Sequence, residues 1–374
     1  AALLILLKRA AGEAGSRSFA LAGLMAGLGV GLKYTVATFL PGLGLVCLVV
    51  AWRGRSLFAP LLFGVAVILG FLAAAGHHLL TLWQTFGNPT FPFLNNVFKS
   101  PWYEVDSLLD TQFIPRDFWQ YAAYPFYWTR LNSYVVTELP FRDWRGAIAY
   151  VAILGGLAAF ALHAKGKWRS NRKSAGETCG LLYLFLFIIV SFFVWEKMFG
   201  NLRYGVVLEL VAGIATIGAL IRIVDDGRAR TAAALALVGV LAATTVYIDW
   251  GHRAYGAKYV EVEVPQLPPQ SDVLVATWDA VSYFIPYAEP SAHYLGIENN
   301  YLYLTQHNKL ADAVRNGMRT PGTAKFVLSV GDFDADKLDQ LLANFDLKLS
   351  AAPCLPIHTN LVGKALSLCP AEPR

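Results

Sequence analysis

Seven long apolar runs dominate this chain, and they restrict what it can fold into more than any other feature. They are Ser18–Leu32, Thr35–Ala51, Leu57–Leu80, Gly146–His163, Gly180–Val194, Tyr204–Ile221 and Thr231–Ile248. Six contain no Asp, Glu, Lys or Arg, and the remaining one contains Glu209. A bilayer span takes about 20 apolar residues. Inside hydrocarbon a single segment satisfies its own backbone N–H and C=O groups only as a helix. The sequence therefore predicts a mainly α, polytopic transmembrane bundle of about seven spans. Ala1–Leu7 read as the end of a further, partial span, so an N-terminally truncated fragment is expected. Charged residues make up 15% of the chain, against roughly 25% in ordinary soluble domains. A net charge of +5 spread between apolar runs does not point to nucleic acid, and no nucleic-acid partner is expected.

The basic residues orient the bundle. Lys8, Arg9 and Arg17, then Arg53 and Arg55, then Lys165, Lys167, Arg169, Arg172 and Lys173, then Arg222, Arg228 and Arg230 all fall in loops on one side of the predicted spans. Lys and Arg accumulate in cytoplasmic loops, so that side is expected to be cytoplasmic. The opposite side receives the Leu32–Thr35 corner, the aromatic segment 81–145, the Phe199–Arg203 turn and the tail. The expected location is a bacterial inner membrane, multi-pass, with the C-terminal domain outside.

Two domains are expected: 1–250, a helical membrane domain that includes the interfacial segment 81–145, and 251–374, a small extracytoplasmic α/β domain. Pro265, Pro268 and Pro269 mark a linker. Asp272–Ala276 and Lys325–Val330 read as buried strands, and Asn308–Met318 and Asp334–Phe345 carry apolar residues at helical spacing. Cys354 and Cys369 both fall in the outward domain, where the compartment permits a disulfide, and they are the candidate pair. Cys47 and Cys179 lie in apolar runs and read as packing residues.

Three places carry candidate chemistry. Lys33 sits between two uncharged runs, where a cation either snorkels to the interface or meets an anionic head group. Arg203, in Asn201-Leu202-Arg203-Tyr204, is an outward Arg in a tight turn, and a guanidinium holds phosphate oxygens with paired hydrogen bonds. The plainer reading of both is an interface anchor. The third is Gly87-Asn88-Pro89-Thr90-Phe91-Pro92-Phe93 with Leu94 to Pro101, where Asn88, Asn95 and Asn96 offer amides and Lys99 a charge. Its plainer reading is an interfacial helix covering the bundle. Asp106, Asp110, Asp117, Glu138 and Asp143 have no distinctive spacing and read as solvated loop acids. Glu196 and Lys197 are expected to pair with each other, and Glu209 to need a polar partner. No Cys/His spacing resembles a zinc site.

Together these features resemble the polytopic glycosyltransferases of the GT-C superfamily that use polyprenyl-phosphate sugars. The resemblance rests on Ala22-Gly23-Leu24-Met25-Ala26-Gly27 running on to Lys33-Tyr34, on Gly87-Asn88-Pro89 with Phe98-Lys99-Ser100-Pro101, and on Asn201-Leu202-Arg203-Tyr204. It covers most of Ser18–Ile248. It implies an inverting transferase with Lys33, Tyr34, Asn88, Lys99, Arg203 and Tyr204 lining the substrate site. The implied partners are a lipid-linked sugar donor, membrane lipid, and a glycan, lipid or protein acceptor. Some members use a divalent metal and others none. The superfamily's catalytic base lies in the first outward loop, which this fragment lacks, so no catalytic residue is assigned and the fragment alone is expected to be inactive. The alternatives are an envelope polysaccharide polymerase or ligase, a secondary transporter, for which no convincing internal repeat is found, and a non-catalytic scaffold.

Overall fold

The apolar runs fold as helices over most of their described residues, in which the backbone satisfies its own N–H and C=O groups. The computed structural model describes every residue except 107, 109, 165–171, 225, 247–257, 300, 319–322, 332 and 362–364, with the side chains of 163, 164 and 172–178 also left aside. Lys165, Lys167 and Arg169 of the third basic loop therefore lie outside the described residues, as do the side chains of Arg172 and Lys173. The chain divides into two units, Ala1–Leu79 with Leu109–His252, and Leu80–Leu108 with Arg253–Arg374.

The first unit is helical. Its elements are α1 (Ala2–Ala10), α2 (Arg17–Leu32), α3 (Leu40–Arg53), most of α4 (Ala59–Phe86), then α6 (Phe118–Tyr127), α7 (Arg145–Ala164), α8 (Arg172–Met198), α9 (Val206–Ile223) and α10 (Gly227–Thr244). A short helix α5 (Asn95–Phe98) belongs to the second unit. Among the described residues, five segments are long and apolar enough to cross a membrane: Tyr34–Arg53, Ala59–Phe86, Arg145–Leu162, Cys179–Met198 and Val206–Ile223. The other two expected spans are helical but fall short by that measure. Helix α2 has 16 residues, about 24 Å at 1.5 Å per residue, against a hydrocarbon core of about 30 Å. Helix α10 opens with Arg228 and Arg230 in its first turn and is diluted by Ala.

Close packing within the unit follows from small residues. Gly23, Gly27 and Gly31 recur every four residues on one face of α2. A Cβ on Gly27 would overlap the Val67 carbonyl of α4, and one on Gly70 would overlap the Leu24 carbonyl in return. With no side chain between them, the two backbones approach to contact. Helix α3 packs on α8, and α7 on α9. At one end of the unit Tyr124, Trp128 and Trp195 meet with ring centroids 5.8–6.0 Å apart. Trp195 Nε1 donates to the Asn201 carbonyl at 2.9 Å, which satisfies a buried indole and fixes the turn after α8.

The second unit contains a seven-stranded mixed sheet: β1 (Val262–Glu263), β2 (Asp272–Ala276), β3 (His293–Glu298), β4 (Lys325–Val330), β5 (Leu347–Leu349), β6 (Leu355–Thr359) and β7 (Leu366–Pro373). The order is β1-β6-β7-β4-β2-β3, with β5 also on β7. Strand β2 runs parallel to β3 and β4, and β7 is antiparallel to β4, β5 and β6. Leu274, Ala276 and Val327 face one apolar cluster with α12 (Ala335–Ala343), while Val273 and Leu328 face another with Phe284 and Leu366. Burial on both faces explains why β2 and β4 read as unbroken apolar runs. Asn308 and Asp334 cap α11 (Lys309–Arg315) and α12 with side-chain hydrogen bonds.

The expected segment 81–145 is split between the units. Residues 80–108 join the tail because Lys309 N–H donates to the Pro101 carbonyl at 2.9 Å and Asn308 Nδ2 to Glu104 Oε1 at 3.4 Å. Cys354 and Cys369 form a disulfide.

Candidate functional site

The turn after α8 carries the first candidate. Gly200 takes φ +59°, a conformation that favours glycine, and a side chain there would overlap the Phe113 carbonyl. Asn201 accepts from Arg203 N–H at 3.1 Å and so holds the short 3₁₀ turn Leu202–Tyr204. Leu202 N–H donates to the Val136 carbonyl at 2.7 Å. That bond brings the 133–141 segment alongside, and Glu138 then accepts from Arg203 at 2.6 Å and from Asn201 Nδ2 at 3.3 Å. Nothing in the sequence spacing announces this pair.

Lys33 ends α2 in extended conformation and is exposed. Its Nζ lies 5.3 Å from the centre of the Tyr204 ring, and the Arg203 guanidinium lies 5.9 Å from the same centre. Three of the six expected binding residues therefore meet at one place. Tyr34 follows Lys33 and packs its ring 6.2 Å from Phe71. Of Arg203's five N–H donors, Glu138 engages one side of the fork, and the rest are available to a second acceptor.

Asn88 and Lys99 belong to the second unit and do not behave alike. Asn88 is fully buried, donates to the Phe93 carbonyl and Asn95 Oδ1, and accepts twice from Thr90. All four of its amide hydrogen-bonding positions are used in building the turn, which leaves none for a ligand. Asn95 is likewise buried and bonds the carbonyls of Ser100, Tyr103 and Glu104. Lys99 is exposed, at φ +52° after α5.

Behind Arg203 the first unit holds an apolar cavity of about 450 Å³ walled by α6, α7, α8 and α9, with Trp128, Ile153, Phe192 and Leu208 among its lining. A second, more open cavity holds Arg203 and shares Asp143, Arg145, Leu202 and Glu209 with the first. At this junction Arg145 bonds both oxygens of Asp143, at 2.6–3.1 Å, and meets Glu209 at 3.1 Å. Asp143 is only 3% exposed, so the expectation of a solvated loop acid fails there: the carboxylate is kept buried by its guanidinium. Glu209 has the polar partner it was expected to need. Glu196 and Lys197 both line the apolar cavity, but among the described residues they form no ion pair: Glu196 Oε1 is buried without a hydrogen-bond partner, and Lys197 Nζ sits 4.1 Å from the Tyr121 ring centre.

Among the described residues no three His, Cys, Asp or Glu side chains gather as a metal-binding group. Comparison with protein-family models, with characterised proteins and with solved structures finds no match to this chain.

Proposed function

We propose that this chain is part of a multi-pass membrane glycosyltransferase that takes a sugar from a polyprenyl-phosphate donor on the outer face of the membrane. In this reading the helical unit contributes seven spans, with α2 and α10 crossing alongside longer neighbours, and the sheet unit lies outside the cytoplasm. The Cys354–Cys369 disulfide supports that placement, since such bonds persist in oxidising compartments. The observation that carries the reading is the pair of cations, Lys33 and Arg203, over one Tyr204 ring, with Arg203 lining a cavity that shares residues with an apolar one. A lipid phosphate needs that combination: fixed positive charge for its head and an apolar wall for its tail.

The acceptor hydroxyl oxygen attacks the anomeric carbon as the carbon–oxygen bond to the phosphate breaks, and the hydroxyl proton passes to a general-base carboxylate. The electron pair of that bond leaves with the polyprenyl phosphate. Negative charge grows on the phosphate in the transition state, and Lys33 and Arg203 stabilise it there more than in the ground state. The test supplies radiolabelled polyprenyl-phosphate sugars to full-length protein in membranes and compares wild type with Arg203→Ala and Lys33→Ala at matched protein levels. Collapse of transfer in both variants supports the reading. Absence of transfer from every lipid-phosphate sugar, or full transfer by both variants, ends it.

A further inference from the structure

The opposite end of the helical unit carries a second basic site. Helix α2 starts beside α1 and ends at Lys33, so its 16 residues separate the two ends by about 24 Å. At the α1 end, a cavity of about 330 Å³ is lined by Arg9, Arg53, Gly54 and Tyr183 among others, with no carboxylate among the described residues of its lining. Among the described residues neither Arg9 nor Arg53 has a carboxylate partner. Arg9 Nε is buried without a hydrogen-bond acceptor, although its guanidinium lies 5.7 Å from the Phe19 ring centre. The two Arg residues stand in the last turns of α1 and α3, where the helix dipole favours cations. That attraction explains a cation near each helix end. It does not explain a buried donor left without an acceptor, a state that costs free energy.

We propose that Arg9 and Arg53 bind the phosphate of an anionic membrane phospholipid. The guanidinium fork suits phosphate oxygens, and those oxygens supply the acceptor that Arg9 Nε lacks. The α3–α4 connection identifies the source as lipid. It begins and ends in apolar side chains that face outward, with Trp52 80%, Leu57 91% and Phe58 79% exposed. An indole and two apolar side chains beside cations make the pattern of a membrane–water interface, and basic pockets between helices take anionic head groups there. The site does not depend on the glycosyltransferase reading, because it lies at the other end of the bundle and requires no reaction.

The experiment uses delipidated full-length protein and native mass spectrometry. It compares phosphatidylglycerol, phosphatidylcholine with the same acyl chains, and inorganic phosphate. Wild type is expected to retain phosphatidylglycerol in preference to phosphatidylcholine. The double variant Arg9→Gln with Arg53→Gln is expected to lose about thirtyfold in affinity, from roughly fivefold per cation. The double variant Arg17→Gln with Arg55→Gln removes the same charge outside the pocket and is expected to change it little. Equal retention of the two lipids overturns the proposal, and so does equal weakening by the two double variants, which means diffuse surface attraction. Inorganic phosphate binding as well as phosphatidylglycerol overturns the lipid assignment. The wild-type comparison stands by itself if a variant fails to fold, and Arg9→Lys, which keeps the charge but loses the fork, is expected to fall between wild type and the Gln variant.

Discussion

Arg203 donates to Glu138 at 2.6 Å although 65 residues separate them in the chain. Both side chains are more than a third exposed. Exposed pairs of this kind contribute about 0–1 kcal/mol to stability, so the pair orients the guanidinium more than it holds the fold together. Arg203→Ala is therefore expected to leave the unfolding midpoint of the detergent-solubilised protein almost unchanged and, on the proposed function, to lower sugar transfer about a hundredfold or more. Arg203→Lys restores part of the activity, because it keeps a charge and loses the fork. A large drop in stability for Arg203→Ala would make the residue a structural anchor and remove it from the site.

The cluster of Asp143, Arg145 and Glu209 behaves in the opposite way. Asp143 is buried and depends on Arg145 for its hydrogen bonds. Arg145→Ala removes the counter-charge of that carboxylate and leaves it the backbone N–H of position 145, and is expected to destabilise the helical unit by about 3–5 kcal/mol. Arg145→Ala combined with Asp143→Asn is expected to recover part of the loss, since the buried group is then neutral. Denaturant unfolding of the three proteins in one detergent measures both effects. Equal stability of Arg145→Ala and wild type would show that Asp143 reaches water without its partner.

Contact between α2 and α4 rests on missing side chains. Gly27→Val places a branched side chain where the Val67 carbonyl already lies, so the helices must separate or shift, at a cost of about 1–3 kcal/mol. Gly44 of α3 meets nothing within 4 Å at its Cβ position, and Gly44→Ala is the matched control, expected to be neutral or slightly stabilising. Thermal unfolding of both variants separates packing from propensity. Similar midpoints for the two would mean that Gly27 does not set the α2–α4 approach.

Particular residues explain which parts of this molecule are legible in its sequence. Helices α4, α7, α8 and α9 follow from uninterrupted apolar runs, and β2, β4, α11 and α12 from local patterns with Asn308 and Asp334 as caps. Among the described residues five segments are long and apolar enough to cross, against seven expected, because α2 stops at 16 residues and α10 takes Arg228 and Arg230 into its first turn, which lowers its mean apolarity. Lys33, Arg203 and Tyr204 were identifiable one by one, as charges and a ring beside apolar runs. Their meeting was not, since it depends on Leu202 bonding to Val136 and on the Trp195 indole holding the turn. Asn88, an amide in an unusual motif, organises its own loop through hydrogen bonds to Phe93 and Thr90. Tertiary hydrogen bonds between distant segments decide such cases, and no periodicity encodes them.

The sheet unit supplies a pH prediction of definite sign. Asp272 at the start of β2 is 1% exposed. Burial pushes its carboxyl up, but hydrogen bonds from Lys325, His293 and Thr323, together with the Lys325 charge, outweigh burial and hold it below the ordinary carboxylate range. A carboxyl whose pKa is lowered on folding stabilises the fold fully above its unfolded value, about 3.9, and loses that contribution as pH falls through the folded value. The β2–β4 pairing is therefore expected to be insensitive to this group from pH 7 down to about 5 and to weaken below about 4. Asp272→Asn removes that acid-side loss. It also weakens the unit at pH 7, because Lys325, only 9% exposed at its side chain, loses the Asp272 carboxylate charge beside it. Amide hydrogen exchange of peptides covering Asp272–Ala276 and Lys325–Val330 in the full chain, corrected for the intrinsic rate at each pH, follows both effects. If protection in Asp272→Asn falls on acidification as steeply as in wild type, another group carries the acid sensitivity. If its protection at pH 7 equals that of wild type, the Asp272–Lys325 pair contributes nothing net, and the sheet is held by its two apolar clusters.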